Sequence, residues 1–200
     1  MSIEPVGLGP YYDLTVPGDE SYLAEGIWNH NSGKTRAGAE WIVDRSVRYP
    51  FSISGAPTER LIVADNLGHA RDTCLEGESG VLRILDRRDI PYQYKQSPRP
   101  MVIFTQTGAK IYCFGADTPN VARGMNAADA WLDEIIKWDY SYESWKQGIM
   151  LTLRTNIPLD HPRAFVTTTP KPIKLLQEWL ARTDGSVHMI TGSTFDNAAN

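Results

Sequence analysis

The chain has 200 residues, of which 22% are charged, and a formal net charge of −4. Its length suits one ordinary domain with an appendage, and no apolar run approaches the roughly 20 residues that a membrane span needs. The mild acidity leaves nucleic-acid contact to a local patch, since affinity does not follow whole-chain charge. Two cysteines, Cys74 and Cys113, stand in no patterned arrangement and read as reduced, buried thiols of a cytosolic protein. The opening Met-Ser-Ile-Glu-Pro lacks a basic region and does not read as a secretory signal.

The charge is unevenly spread. Residues 1–31 hold Glu4, Asp13, Asp19, Glu20 and Glu25 with no Lys or Arg, a net of −5, against 19 acids and 20 bases in the remainder. Such a step suggests two modules meeting near position 31, or else a solvated acidic tail. Tyr11 to Val16 is β-rich, Pro17-Gly18-Asp19-Glu20 is a turn signal, and Ser21 to Ala24 returns before Gly26. This predicts a hairpin feeding a strand that ends at Asn31. A lone hairpin is marginal in water, so this one needs a partner.

Downstream, helix and strand signals alternate. Thr35 to Val47 has Ala37, Trp41, Ile42 and Arg45 at helical spacing. Leu61 to Ala64 reads as a short buried strand, and Ala70 to Leu75 begins a helix that Gly77-Glu78-Ser79-Gly80 breaks. Met101 to Phe104 and Lys110 to Phe114 bracket Gly108 as a hairpin. Ala130-Trp131-Leu132 runs into Asp133-Glu134, and Ala164-Phe165-Val166 runs into Thr167-Thr168-Thr169-Pro170. The alternation predicts an α/β fold with a mainly parallel sheet. Ligands of such sheets bind past the carboxyl ends of the strands, where Gly33, Asp133 and Thr167 are expected.

The junction at His30-Asn31-Ser32-Gly33-Lys34-Thr35 joins two chemistries. Gly-Lys-Thr is the tail of a phosphate-binding loop, in which Lys34 reaches the β/γ-phosphates of ATP and Thr35 ligates Mg²⁺. The complete loop wants Gly, four residues, then Gly-Lys-Ser/Thr, and Trp28 stands where the leading Gly belongs. Asp133, after an apolar strand, would hold Mg²⁺ or its water shell, and Glu134 would orient and deprotonate the attacking water. Each signal alone also fits a chance surface run. Trp138, Tyr140, Tyr142 and Trp145 read as helix packing in preference to a base-stacking platform. Arg87-Arg88, Lys171 and Lys174 fit solvated faces as well as DNA contacts. His69, His161 and His188 show no metal-ligand spacing, so no structural zinc is expected.

Tyr-Asp-Leu-Thr-Val (12–16), the Pro-Gly-Asp turn, Tyr-Leu-Ala-Glu-Gly-Ile (22–27) and the closing His30-Asn31 resemble the last two sequence blocks of inteins, the Hint fold. The resemblance implies protein splicing without a cofactor. Ser32 would attack an upstream ester or thioester with help from Asp13. Asn31 would cyclise onto its own carbonyl and cut the 31–32 bond, while His30 polarises that carbonyl or protonates the departing amine. Glu20 stands where many inteins carry a second His, which weighs against fast C-terminal cleavage. The front half of an intein is missing, which implies either a separate N-terminal half as partner or a longer reading frame.

From Ser32 on, Ser-Gly-Lys-Thr-Arg-Ala-Gly-Ala-Glu-Trp (32–41), Glu-Gly-Glu-Ser-Gly (76–80), Ala-Asp-Thr-Pro-Asn-Val-Ala-Arg-Gly (116–124), Ala-Trp-Leu-Asp-Glu (130–134), Thr-Thr-Thr-Pro-Lys-Pro (167–172) and Gly-Ser-Thr-Phe-Asp-Asn (192–197) resemble the ATPase domain of the large terminase subunit of tailed bacteriophages. The resemblance implies a P-loop NTPase of the RecA/ASCE type with ATP and Mg²⁺ as cofactors. It implies a motor moving double-stranded DNA into a procapsid in the cytoplasm of an infected bacterial host. Its partners would be a portal protein, a small terminase subunit and further copies in a homo-oligomeric ring, without a membrane. Thr167, Thr168 and Thr169 match the coupling motif that senses γ-phosphate. Arg123 matches an arginine finger acting in trans, or is an ordinary surface or ion-paired arginine. Terminases are hosts in which inteins interrupt the phosphate loop, so one junction accounts for both resemblances.

The expected organisation is an intein C-terminal segment over 1–31 and a terminase ATPase domain over 32–200, incomplete at both ends and without the family's RNase H-like nuclease. The chain as it stands is expected not to hydrolyse ATP until splicing rebuilds its loop. One alternative is a superfamily 2 helicase-like fragment, which would carry Asp-Glu-x-Asp/His and Ser-Ala-Thr where this chain has Asp133-Glu134-Ile135-Ile136 and Thr-Thr-Thr-Pro. The other is an inactive, purely binding remnant, against which Lys34, Thr35, Asp133 and Glu134 argue.

Overall fold

A computed structural model of the chain describes residues 21–24, 27–30, 33–117, 120–169 and 171–189. The chain divides into Thr35–Leu176 and a second unit that gathers Met1–Lys34 with Gln177–Asn200. In the second unit, β1 (Ser21–Ala24) and β2 (Ile27–His30) form an antiparallel hairpin with Ser21 opposite His30. Strand β2 stops at His30; the strand expected over 11–16, its turn, Asp13, Asn31 and Ser32 lie outside the described residues.

The larger unit is built on a six-stranded sheet in the order β4–β5–β6–β3–β7–β8. Strands β6 (Lys110–Gly115), β3 (Glu59–Ala64), β7 (Asp129–Asp133) and β8 (Arg163–Thr167) run parallel, as the alternating pattern predicts. At the other edge β4 (Tyr92–Lys95) and β5 (Met101–Phe104) are antiparallel, and β5 returns into β6 as the expected hairpin. Gly108, at φ +76°, supplies the left-handed turn residue that this reversal uses. Strand β3 lies between β6 and β7, and Leu61 to Ala64 are all fully buried. A central parallel strand covered on both faces therefore reads as a continuous apolar run. On β4, Tyr92 and Tyr94 are half-buried while Gln93 and Lys95 are exposed, the alternation of an edge.

Helix α1 (Lys34–Arg48) buries Ala39, Ile42 and Val43 completely. Full burial of Ile42 and Val43 contributes roughly 1.5–3 kcal/mol each. Gly38 sets the approach of α1 to the sheet: a Cβ there would sit 2.0 Å from Trp131 Cε2. Only glycine lets the helix backbone lie on that fully buried indole. After β3, α2 (Leu67–His69) is capped by Asn66, whose side chain accepts from the His69 N–H at 2.8 Å, and continues as a π-helical segment, Ala70–Leu75. Helix α3 (Val81–Arg87) precedes the β4–β5 hairpin. The 3₁₀ turn Ile135–Lys137, α4 (Ser141–Glu143), a π-helical segment Ser144–Ile149 and α5 (Met150–Thr152) link β7 to β8, and α6 (Lys174–Leu180) follows. Among the described residues no helix is long and apolar enough to cross a membrane.

At the amino-terminal ends of β3 and β7 a buried ionic cluster closes the sheet. Asp129, with no exposed surface, accepts from Arg45 Nη2 at 2.7 Å and from Arg60 Nε at 2.9 Å. Arg60 also donates to Thr58 Oγ1 and to the carbonyls of Arg45 and Tyr49, the latter two at 2.8 Å. Burial pushes the Arg60 guanidinium down to about 10, against the pull of Asp129, so it stays cationic at neutral pH. Arg45 reaches on to Asp160, which Arg163 Nη2 also meets at 2.8 Å. Burial opposes the charge of Asp160, but hydrogen bonds from Arg45, the His161 N–H and Arg163 hold its carboxyl below the usual carboxylate range.

Removing one partner of a buried pair leaves an uncompensated charge, so Asp129→Ala should cost about 3–5 kcal/mol in a urea unfolding titration. A loss below about 1 kcal/mol would contradict the clamp. Because Asp160 titrates lower folded than unfolded, its contribution is full above about pH 4 and is lost as acid drives pH toward the folded value. Asp160→Asn should therefore be less stable than the parent at pH 7, with the gap closing below about pH 4; a gap independent of pH would refute that linkage.

Candidate functional site

Helix α1 touches β7 at two depths, Gly38 against Trp131 and Arg45 against Asp129. The helix therefore runs antiparallel to the strand, and its first turn, with half-buried Thr35, lies toward the carboxyl end of β7. Gly33 precedes the helix and is exposed, and Lys34 opens it.

At that edge β7 and β8 end in register, with Asp133 opposite Thr167. Asp133 is 2% exposed, and a chain of hydrogen bonds fixes it. Trp131 Nε1–H donates to Thr167 Oγ1 at 2.8 Å, and that hydroxyl donates to Asp133 Oδ1 at 2.6 Å. A hydroxyl has one proton to give, so the incoming indole bond directs it to the carboxylate. The other oxygen, Oδ2, faces Cys74 Sγ at 3.6 Å and His69 Nε2 at 3.4 Å. Burial, and next the Glu134 charge, raise the Asp133 carboxyl above its ordinary value against the pull of Thr167, His69 and Cys74. Burial, then Asp133, push the Cys74 thiol well above the ordinary range. A buried carboxylate in this condition gains from a cation placed beside it.

Glu134 follows with a left-handed backbone, φ 48° and ψ 49°. For a non-glycine residue that conformation costs roughly 1–2 kcal/mol. Its N–H donates to the Thr167 carbonyl at 2.7 Å, and its carboxylate accepts from Thr169 Oγ1 at 3.5 Å. Thr168 is half-buried beside them, its hydroxyl 3.4 Å from the Thr169 carbonyl. Asp133, Glu134, Thr167 and Thr169 are thus brought together. Arg123 is exposed in a separate loop and donates to Asn120 Oδ1 at 3.3 Å.

The aromatic cluster divides. Trp138 is buried and donates to the Asp133 carbonyl at 3.0 Å, which is packing as expected. Tyr140 instead stays 47% exposed, and the Tyr142 ring lies under Lys174 Nζ at 4.2 Å. Both cysteines are buried free thiols, in accord with the sequence reading. The spacing of the histidines in the sequence gives no sign of one grouping among the described residues. His69, Cys74 and Asp133 offer ligand atoms all within 4.8 Å of one another. His69 and Cys74 are five residues apart, a spacing that α-helical rules separate but that an i→i+5 turn stacks. The Glu76 N–H bonds the Arg71 carbonyl, five residues back, at 2.8 Å, in that kind of turn.

The family model described as "Terminase large subunit, T4likevirus-type, N-terminal" matches residues 30–184. The ATPase domain of the Thermus phage P74-26 large terminase aligns at a TM-score of 0.51 and 21% identity over 78% of this chain and 63% of that one. A large terminase from a thermophilic bacteriophage, in complex with ADP, aligns at 0.54 and 15% identity over 82% and 38%. "Replicative DNA helicase DnaB" of Rhodothermus marinus is 39% identical over 61 residues, 30% of this chain and 6% of that protein. The chain spans less than two thirds of each of these relatives, and the two structural likenesses are of fold.

The left-handed backbone at Glu134 predicts an inverted substitution order. Glu134→Gly should be more stable than Glu134→Ala by about 1 kcal/mol in chemical denaturation, whereas alanine at least as stable as glycine would show that the backbone is not strained there.

Proposed function

Since the chain belongs to the family of terminase large-subunit N-terminal domains, we propose that residues 32–200 are part of the ATP-hydrolysing domain of a motor that packages viral double-stranded DNA. The observation that carries this is buried Asp133 at the end of β7, tied to Thr167 and followed by the strained Glu134, at the edge toward which α1 begins. The family match over residues 30–184 also favours this reading over a helicase fragment.

ATP with Mg²⁺ would supply the reactive phosphoanhydride and neutralise its charge. Thr35 and Asp133 would hold the cation with hard oxygen donors, which suit Mg²⁺, and the buried Asp133 carboxylate favours a cation there. Gly33 and Lys34 would bind the phosphates, the former through its backbone N–H and the latter through its ammonium. Glu134 would orient the attacking water and accept its proton. Thr167 positions Asp133, and Thr169, bonded to Glu134, would with Thr168 link the state of the γ-phosphate to the base. Exposed Arg123 would act on a neighbouring copy in a ring. Double-stranded DNA, a portal protein and a small subunit in the host cytoplasm complete this reading.

A second reading concerns residues 1–31. The family match begins at residue 30, beside the charge step, which supports a separate segment joined there. In this reading Ser32, Asn31, His30 and Asp13 carry out splicing with a separately supplied N-terminal half, and the product has a complete phosphate loop.

With residues 1–31 replaced by a strand and loop that complete Gly-x₄-Gly-Lys-Thr, the protein should hydrolyse ATP. Glu134→Gln in that protein should bind ATP and lose hydrolysis by about 10²–10⁴-fold, and Lys34→Ala should lose binding; a Glu134→Gln variant with parental turnover would refute the assignment. For splicing, intact mass after mixing the unaltered chain with a candidate N-terminal half should reveal loss of residues 1–31, blocked by Asn31→Ala. Persistence of the full mass with such partners would leave residues 1–31 as an inert segment.

A further inference from the structure

We infer that His69 Nε2, Cys74 Sγ and Asp133 Oδ2 form a three-ligand site for Zn²⁺. The three side chains converge from two elements: His69 and Cys74 from the α2–π segment, and Asp133 from the end of β7. Two of their three separations match a single tetrahedral ion, and the third, between Cys74 Sγ and His69 Nε2, lies within 4.8 Å. Zinc–ligand bonds of about 2.05 Å to nitrogen, 2.1 Å to oxygen and 2.3 Å to sulfur, set at the tetrahedral angle, place N and O about 3.4 Å apart and S and O about 3.6 Å apart. The observed distances are 3.4 Å from His69 Nε2 to Asp133 Oδ2 and 3.6 Å from Cys74 Sγ to Asp133 Oδ2.

The surroundings match a zinc ligand set in a second respect. His69 Nδ1 is hydrogen-bonded to Asp65 Oδ1, which holds the proton on Nδ1 and leaves the Nε2 lone pair for the metal. A carboxylate behind a ligating histidine is the usual outer partner in zinc sites. Asp133 Oδ1 is meanwhile engaged by Thr167, so Oδ2 is the oxygen that points to the imidazole and thiol. Nitrogen and sulfur donors select zinc over magnesium. On binding, the Cys74 S–H proton passes to solvent as the Zn–S bond forms. Cys74 and Asp133 are buried and His69 is 19% exposed at its side chain, and three protein ligands would leave one position of a tetrahedral ion for water. Zn²⁺ binds here without nucleotide, and it would compete for Asp133 with the Mg²⁺ of the ATPase reading.

The test is titration of the full chain, freed of metal by chelator, with Co²⁺ alone as a spectroscopic stand-in for Zn²⁺. The expected result is one Co²⁺ per chain, with a thiolate charge-transfer band and tetrahedral visible bands that Zn²⁺ bleaches. The chain has only two cysteines, so Cys113→Ser should retain the band and Cys74→Ser should lose it. His69→Gln, at a partly exposed position, should weaken binding by more than tenfold, and Asp65→Asn by about 10–100-fold. A missing thiolate band in the parent, or one that survives Cys74→Ser, overturns the proposal. Should Cys74→Ser fail to fold, unchanged affinity in both His69→Gln and Asp65→Asn overturns it equally.

Discussion

Asp129 is shared by two buried guanidinium groups, and the remaining geometry of the larger unit depends on that contact. Removing charges from water costs several kcal/mol per ion, which only near-complete pairing offsets. Arg60 achieves it by spending Nε, Nη1 and Nη2 on Asp129, Thr58 and two backbone carbonyls near the end of α1. Those partners belong to α1, the turn after it, the residue just before β3, and β7, while Arg60 itself lies in β3. The cluster therefore fixes how the helix end, the central strand and its neighbour meet, with little tolerance for a shifted register.

Strand β7 carries that constraint across the sheet. Its five residues are all buried, and by the two-residue alternation of a strand Asp129, Trp131 and Asp133 share one face. The first holds the ionic cluster, the second lies under Gly38 of α1, and the third is the candidate site residue. Trp131 also passes a hydrogen bond through Thr167 to Asp133, so the middle of the strand orients its end. The edge that holds the structure together is thus separate from the edge where chemistry is proposed. A cleft of about 560 Å³ lies near the structural edge, lined by Ser52, Glu59, Asn126 and Arg154 among others, and includes none of the candidate site residues.

The parts of this arrangement that were legible in the sequence are those set by local pattern. The α1 stripe, the hairpin around Gly108 and the two strands ending at Asp133 and Thr167 follow from periodicity and turn chemistry. Arg45 could be counted on the helical stripe, but nothing near it in sequence names Asp129 or Arg60 as partners. The place of β3 between β6 and β7 depends on pairings between distant segments, which local spacing does not encode. Strand β4 is not among the strands predicted above, although Tyr92 and Tyr94 alternate with Gln93 and Lys95, a visible edge signal. Glu134 gives no hint of its left-handed backbone, because glycine and asparagine are the residues that advertise one. His69 and Cys74 were hidden by a π-helical turn that α-helical spacing rules do not anticipate.

The division between a structural edge and a ligand edge is most directly tested by hydrogen–deuterium exchange with and without MgATP, on protein with a completed phosphate loop. The account predicts added protection in the first turn of α1, at 133–137 and at 167–169. It predicts little change around Arg45, Arg60 and Asp129, whose backbone is already held by the ionic cluster. Protection confined to that cluster, or absent from both 133–137 and 167–169, would contradict the account.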